Sequence, residues 1–160
     1  MQARMERNNL SGNNATLYTL KKIREYIEKG KVSPVLRRVY SDVLSGIDGR
    51  DSIGVFKRIY GFVQHAVRYQ KDINEVETLQ SAERTLELGF GDCDDQSILT
   101  GALIEGAGYQ SRIVLVSNSP DKLYHHVFVQ AFDGLRWVTI DTTEDYIGYG
   151  YNQPLTALYI

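Results

Sequence analysis

Gly91-Asp92-Cys93-Asp94-Asp95 leads into Gln96-Ser97-Ile98-Leu99-Thr100-Gly101-Ala102-Leu103-Ile104-Glu105-Gly106, and this stretch decides the fold. Ile98, Leu99, Ala102, Leu103 and Ile104 recur at helical spacing, so a helix starts near Cys93 and ends at Gly106 or Gly108. Its apolar content predicts a buried helix. Cys93 is the chain's single cysteine, and a free cysteine is ordinarily a small core hydrophobe. Here it sits in a polar turn, at a helix N-terminus where the macrodipole and free N–H groups favour a thiolate. The neighbouring carboxylates oppose this by raising a thiol pKa. A thiolate at this position therefore needs a compensating cation, most simply an imidazolium.

C-terminal to this helix the pattern changes to strands. Residues 112–116 are a short apolar run. His126–Phe132 and residues 136–141 alternate, with Val127, Val129 and Ala131 set against His126, Phe128, Gln130 and Phe132. N-terminal to it the pattern is helical. Leu17, Leu20, Ile23 and Ile27 form one amphipathic stripe, closed by Gly30. Ser33-Pro34 opens a second helix that Gly46 ends, and Asp51 caps a third through Phe56, Ile59 and Val63. Residues 70–80 read as an extended connection, and Ser81 caps a short helix that stops near Gly89. Helices followed by a meandering antiparallel sheet predict an α+β fold. The expected organisation is a flexible arm over residues 1–14 and one domain over 15–160. Within it lie a helical leader (15–69), a core (70–145) and a Tyr-rich tail (146–160).

Composition narrows the function. One cysteine in 160 residues excludes an internal disulfide framework and a Cys-based zinc cage. A net charge of −2 argues against nucleic-acid binding through bulk positive charge. No apolar run approaches a membrane span, and the N-terminus lacks the apolar region of a signal peptide. A cytoplasmic location is expected. The charge is split: residues 1–60 carry 12 Lys and Arg against 6 Asp and Glu, and residues 61–160 carry 6 against 14. The basic part reads as solvated helix faces first and as a docking face for an anionic partner second.

Three histidines are available to Cys93. His65 reads as an ordinary residue of the third helix. Between His125 and His126, hairpin geometry chooses. If Asp133-Gly134 is a two-residue loop, Phe132 faces Leu135 and His126 lies opposite Asp141, with Cβ atoms about 4.5–5.5 Å apart. His125 then faces Thr142. A four-residue turn over 133–136 would instead pair Phe128 with Asp141. Cys93, His126 and Asp141 make a nucleophile, base and orienter in that chain order. The Cys93 N–H is a candidate oxyanion donor, as is the Gln80 side chain, although alone Gln80 reads as a solvated loop amide.

Gly91-Asp92-Cys93-Asp94-Asp95, His126-Val127-Phe128-Val129 and Trp137-Val138-Thr139-Ile140-Asp141-Thr142-Thr143 together resemble the motifs of the transglutaminase-like superfamily. Two positions depart from its pattern: Gln130 stands where Glu is usual, and Thr142 where Pro is usual. The resemblance implies a papain-like α+β fold, acyl transfer on peptide or side-chain amides, and no cofactor, with Cys93 as nucleophile, His126 as base and Asp141 as orienter. A looser similarity, from Val67-Arg68-Tyr69 through Asp72, Glu77, Gln80-Ser81 and Gly89, is to phage- and prophage-encoded members. It supports Gln80 as the oxyanion donor.

The leading expectation is thus a cysteine peptidase or amidohydrolase with a peptide or protein substrate, hydrolysing rather than crosslinking. The Asp92/Asp94/Asp95 cluster is read as helix capping rather than calcium binding. The alternative is a virion structural or assembly component that uses the fold for docking. Its surfaces for phage proteins or a second copy would be basic residues 1–60 and the tail, of which residues 146–151 read equally as a loop over the cleft.

Overall fold

The computed structural model describes residues 13–71, 79–117, 125–150 and 156–159. The arm expected over residues 1–14 lies outside them, apart from its last two residues, as do Asp72 and Glu77. Helices α1 (Asn13–Gly30), α2 (Pro34–Val43) and α3 (Ser52–Ala66) come first. A two-residue strand β1 (Arg68–Tyr69), helix α4 (Ala82–Leu88) and strand β2 (Phe90–Gly91) lead to α5 (Cys93–Gly106). Strands β3 (Ser111–Ser117), β4 (His126–Phe132), β5 (Trp137–Asp141), β6 (Tyr146–Tyr149) and β7 (Thr156–Tyr159) complete the order. The architecture is α+β.

The helix starts follow from side-chain capping. Ser33 accepts from the Val35 and Leu36 N–H groups, Asp51 from Gly54 and Ser81 from Arg84. Each bond satisfies a donor that the first helical turn leaves free. Gly89 closes α4 in the left-handed region at φ 71°, where a Cβ would be strained.

Helix α5 is the axis of the molecule. Every residue from Asp95 to Ile104 is buried, so a helix enclosed all round replaces the one-sided amphipathic kind. Leu20, Ile23 and Ile27 of α1 bury fully in the same core, and α1 makes its broadest helix contact with α5. That approach needs Gly101, where a Cβ would come within 2.7 Å of Ile27 Cδ1. Leu17, on the expected stripe, is instead exposed.

The sheet runs β6-β5-β4-β3-β7, all neighbours antiparallel. Val127, Val129 and Ala131 of β4 join the core with α5, while Phe128 clusters with Val114 and Val116. Residues 146–149, within the stretch read as a loop over the cleft, form the edge strand β6 on β5, and Thr156–Tyr159 forms the other edge, β7 on β3.

The β4–β5 hairpin differs from the two-residue reading. Phe132 pairs with Trp137 and Val129 with Ile140, so residues 133–136 form the loop. The Asp133 carboxylate accepts from the Leu135 and Arg136 N–H groups at 2.8 and 2.7 Å, and the Asp133 N–H donates to the Arg136 carbonyl. These bonds stabilise a four-residue turn that the Asp-Gly signal does not disclose. Carried on by one pair, this register sets Phe128, not His126, opposite Asp141.

Candidate active site

Cys93 occupies the first position of α5. Asp92 caps the helix, accepting from Asp94 and Asp95 N–H groups at 3.0 and 3.2 Å, and Asp95 returns the bond by accepting from the Asp92 N–H. This reciprocal capping box fixes the turn that carries the thiol. The other Asp95 oxygen accepts the Gln80 N–H at 2.8 Å, so one fully buried carboxylate ties the segment before α4 to the Cys93 turn. Gly91 is required beside it: a Cβ there would lie 2.7 Å from the Asp95 Cβ. Burial, and then the Asp92 charge, raise the Asp95 pKa to about 8, with the two N–H bonds opposing.

Burial pushes the Cys93 thiol up, as do the Asp94 and Asp92 carboxylates, and a hydrogen bond from the Val127 backbone pulls the other way. The Cys93 Sγ–H donates to Asp94 Oδ1 at 3.9 Å. One helical turn on, Ser97 Oγ donates to the Val127 carbonyl at 3.4 Å, which joins this helix to the start of β4.

His126 opens β4. Its Nε2 lies 2.6 Å from Asp141 Oδ2, which leaves Nδ1 as the other proton-carrying position. Asp141 is buried, and its Oδ1 accepts from Thr143 N–H and hydroxyl and from Glu144 N–H at 3.0–3.2 Å. The His126–Asp141 contact expected from direct pairing is therefore made diagonally. A shift of two residues keeps both side chains on one face, because side-chain direction repeats every two residues. His125 is exposed, its N–H bonded to the Val116 carbonyl. His65 is exposed on α3.

Gln80 is half-buried, and its Oε1 receives the Thr85 hydroxyl at 3.2 Å, a proton shared with the Ser81 carbonyl. This leaves Nε2 as the donor end of the amide. Tyr69 pairs with Gly91 across β1–β2. It is half-exposed, and its phenol is raised first by burial, then by Cys93, Asp92, Glu144 and Asp94.

Sequence reading missed Gln96, 2% exposed. Its Nε2 donates to the Gly91 carbonyl at 3.4 Å, and its Oε1 accepts the Thr142 hydroxyl at 2.7 Å. A glutamine inside an otherwise apolar helical run was the available signal. Among the described residues, no group of three or more His, Cys, Asp or Glu is arranged to hold a metal ion. No helix there is long and apolar enough to cross a membrane.

A thiol at the start of a buried helix, facing an antiparallel sheet whose second strand carries an imidazole, places the molecule in the papain-like α+β class. More narrowly, the chain belongs to the transglutaminase-like superfamily, whose family model matches residues 42–142. Among solved structures, a proposed protease from Parabacteroides distasonis ATCC 8503 superposes with TM-score 0.59 at 11% identity, over 75% of this chain and 25% of that one. A proposed cysteine protease from Cytophaga hutchinsonii gives TM-score 0.50 at 19% identity, over 71% and 40%. Calcium-bound LapG from Legionella pneumophila gives TM-score 0.52 at 16% identity, over 97% and 79%. At such identities the likeness is one of fold, and the chain spans a quarter and two fifths of the first two proteins. No curated protein matches the sequence. The similarity to phage-encoded members finds no support among these matches.

Proposed function

We propose that the protein hydrolyses amide bonds of peptides or protein side chains, with Cys93 as nucleophile, His126 as base and Asp141 as its orienter. The observation that carries this reading is the 2.6 Å contact from His126 Nε2 to the buried Asp141 carboxylate, on the strand that Ser97 of the Cys93 helix meets at Val127. His126 Nε2–H donates to Asp141, and Nδ1 takes the Cys93 proton. The thiolate attacks the amide carbonyl carbon, giving a tetrahedral oxyanion that the Cys93 N–H and Gln80 Nε2 stabilise. The imidazolium gives its proton to the leaving amine as the C–N bond breaks, and a thioester remains. Water, deprotonated by His126, then attacks the thioester and releases the acid and the free thiol.

Burial and three carboxylates, Asp94, Asp92 and Asp141, disfavour an isolated thiolate. Ionisation of Cys93 therefore depends on the imidazolium formed with it, and Asp141 stabilises that cation. The descriptions of two fold neighbours as a proposed protease and a proposed cysteine protease support a peptide substrate. In this reading residues 15–160 act as one domain. Incubation with a denatured protein substrate, followed by mass spectrometry of the products, tests the proposal. Cleavage or deamidation by the wild type, lost in Cys93→Ala, is expected. Activity that survives Cys93→Ala contradicts it.

A further inference from the structure

The sides of the site come from distant parts of the chain. Cys93 stands on α5 and Asp141 at the end of β5, and one buried side chain spans the two. The Gly91 carbonyl can only accept, so the Gln96 Nε2 must face it. Oε1 is then the end that faces Thr142, and the Thr142 hydroxyl must be the donor of the 2.7 Å bond. The Gly91 carbonyl also accepts from the Gln70 N–H at 3.1 Å. The Thr142 carbonyl accepts from Gln64 Nε2 of α3 at 3.4 Å. Each anchor of the carboxamide is thus itself held by another element. The contacts form a closed circuit. It runs from the Cys93 turn through Gln96 to Thr142, along the backbone to Asp141, across to His126, and from the adjacent Val127 carbonyl through Ser97 back to the Cys93 helix. The hydroxyl that closes the circuit exists because Thr142 replaces the usual proline of the motif.

We propose that Gln96 and Thr142 are positioning residues, a strut that sets the Asp141–His126 pair at its working distance from Cys93; the proposal rests on the triad reading above. A Gln96 amide deprived of the Thr142 donor would leave a buried carbonyl oxygen unsatisfied, and the end of β5 would be free to shift relative to α5. Displacements of this kind act on proton transfer out of proportion to their size.

The test is the rate of Cys93 alkylation by iodoacetamide as a function of pH, read by intact mass on folded protein, with a thermal melt of each variant. Thr142→Val is expected to slow alkylation at neutral pH by about 10-fold and to move the inflection of the profile to higher pH, while Thr142→Ser stays within about twofold of wild type. If Thr142→Val does not fold, Gln96→Met removes both bonds at similar volume and is expected to act likewise. A wild-type profile in Thr142→Val or Gln96→Met, when His126→Ala abolishes that profile, overturns the strut and leaves the triad standing. A lowered melting temperature with an unmoved inflection also overturns it, since that marks a structural role alone. A profile indifferent to His126→Ala overturns the triad reading, and the strut with it.

Discussion

At the residue scale, Cys93 is a thiol whose surroundings work against its ionisation. Asp94 is the largest of the three carboxylate effects that follow burial. Asp94→Asn in a His126→Ala background is therefore expected to raise the alkylation rate at neutral pH by about threefold or more, since removing a nearby like charge favours the thiolate. An unchanged rate would mean that burial alone controls the thiol. Asp95 gives a second prediction. Its folded-state pKa is raised from 3.8 to about 8, so the native state binds more protons than the unfolded state between those values. Its contribution to stability is complete below the unfolded pKa and is lost as pH rises through about 8. The melting temperature of wild type minus that of Asp95→Asn should accordingly fall between mildly acid and alkaline pH. A difference that grows over that range would reverse the sign.

At the element scale, much was legible because the signals are local. Ser33, Asp51, Ser81 and Asp92 each cap the helix that the sequence pattern starts at them, and alternation predicts β4 with the observed bounds. What was not legible depends on which partner a side chain or a very short segment takes. The parallel pair β1–β2 is two residues long, too short to show a period. The hairpin loop depends on an Asp133 side chain that could equally have faced solvent. His126 was still correctly matched with Asp141 because either loop leaves both on one face, and only the directness of the pairing was misread. Gln96 was passed over because a polar residue within a buried helix declares its purpose only once its partner Thr142 is known. The junction of β2 and α5 carries its own prediction. Gly91→Ala forces a Cβ against that of Asp95 and should destabilise the protein by about 1–3 kcal/mol, measured by urea unfolding. A neutral effect would show that the capping box can move aside.

At the scale of the whole molecule, the division into a basic N-terminal part and an acidic remainder is partly neutralised within the fold. Lys22 and Lys29 pair with Glu25, and Lys31 with Glu28, all inside the basic part, so these pairs leave the division as it is. Arg24 and Lys31 both reach Glu105 on α5, so the leader is fastened to the central helix by charge as well as by apolar packing. Since Leu20, Ile23 and Ile27 are fully buried, a chain lacking residues 1–30 should not fold cooperatively, as followed by circular dichroism during melting. A sharp transition would make the leader a separable module. The central claim is that this fold builds an acyl-transferring thiol. It is tested most directly by mixing the full chain with p-nitrophenyl acetate and following nitrophenolate release together with the intact mass of the protein. The account predicts a stoichiometric burst with an acetyl group mapped to Cys93, absent in Cys93→Ala and slowed at least about 100-fold in His126→Ala. No acetylation of Cys93, or an equal burst without His126, would contradict it.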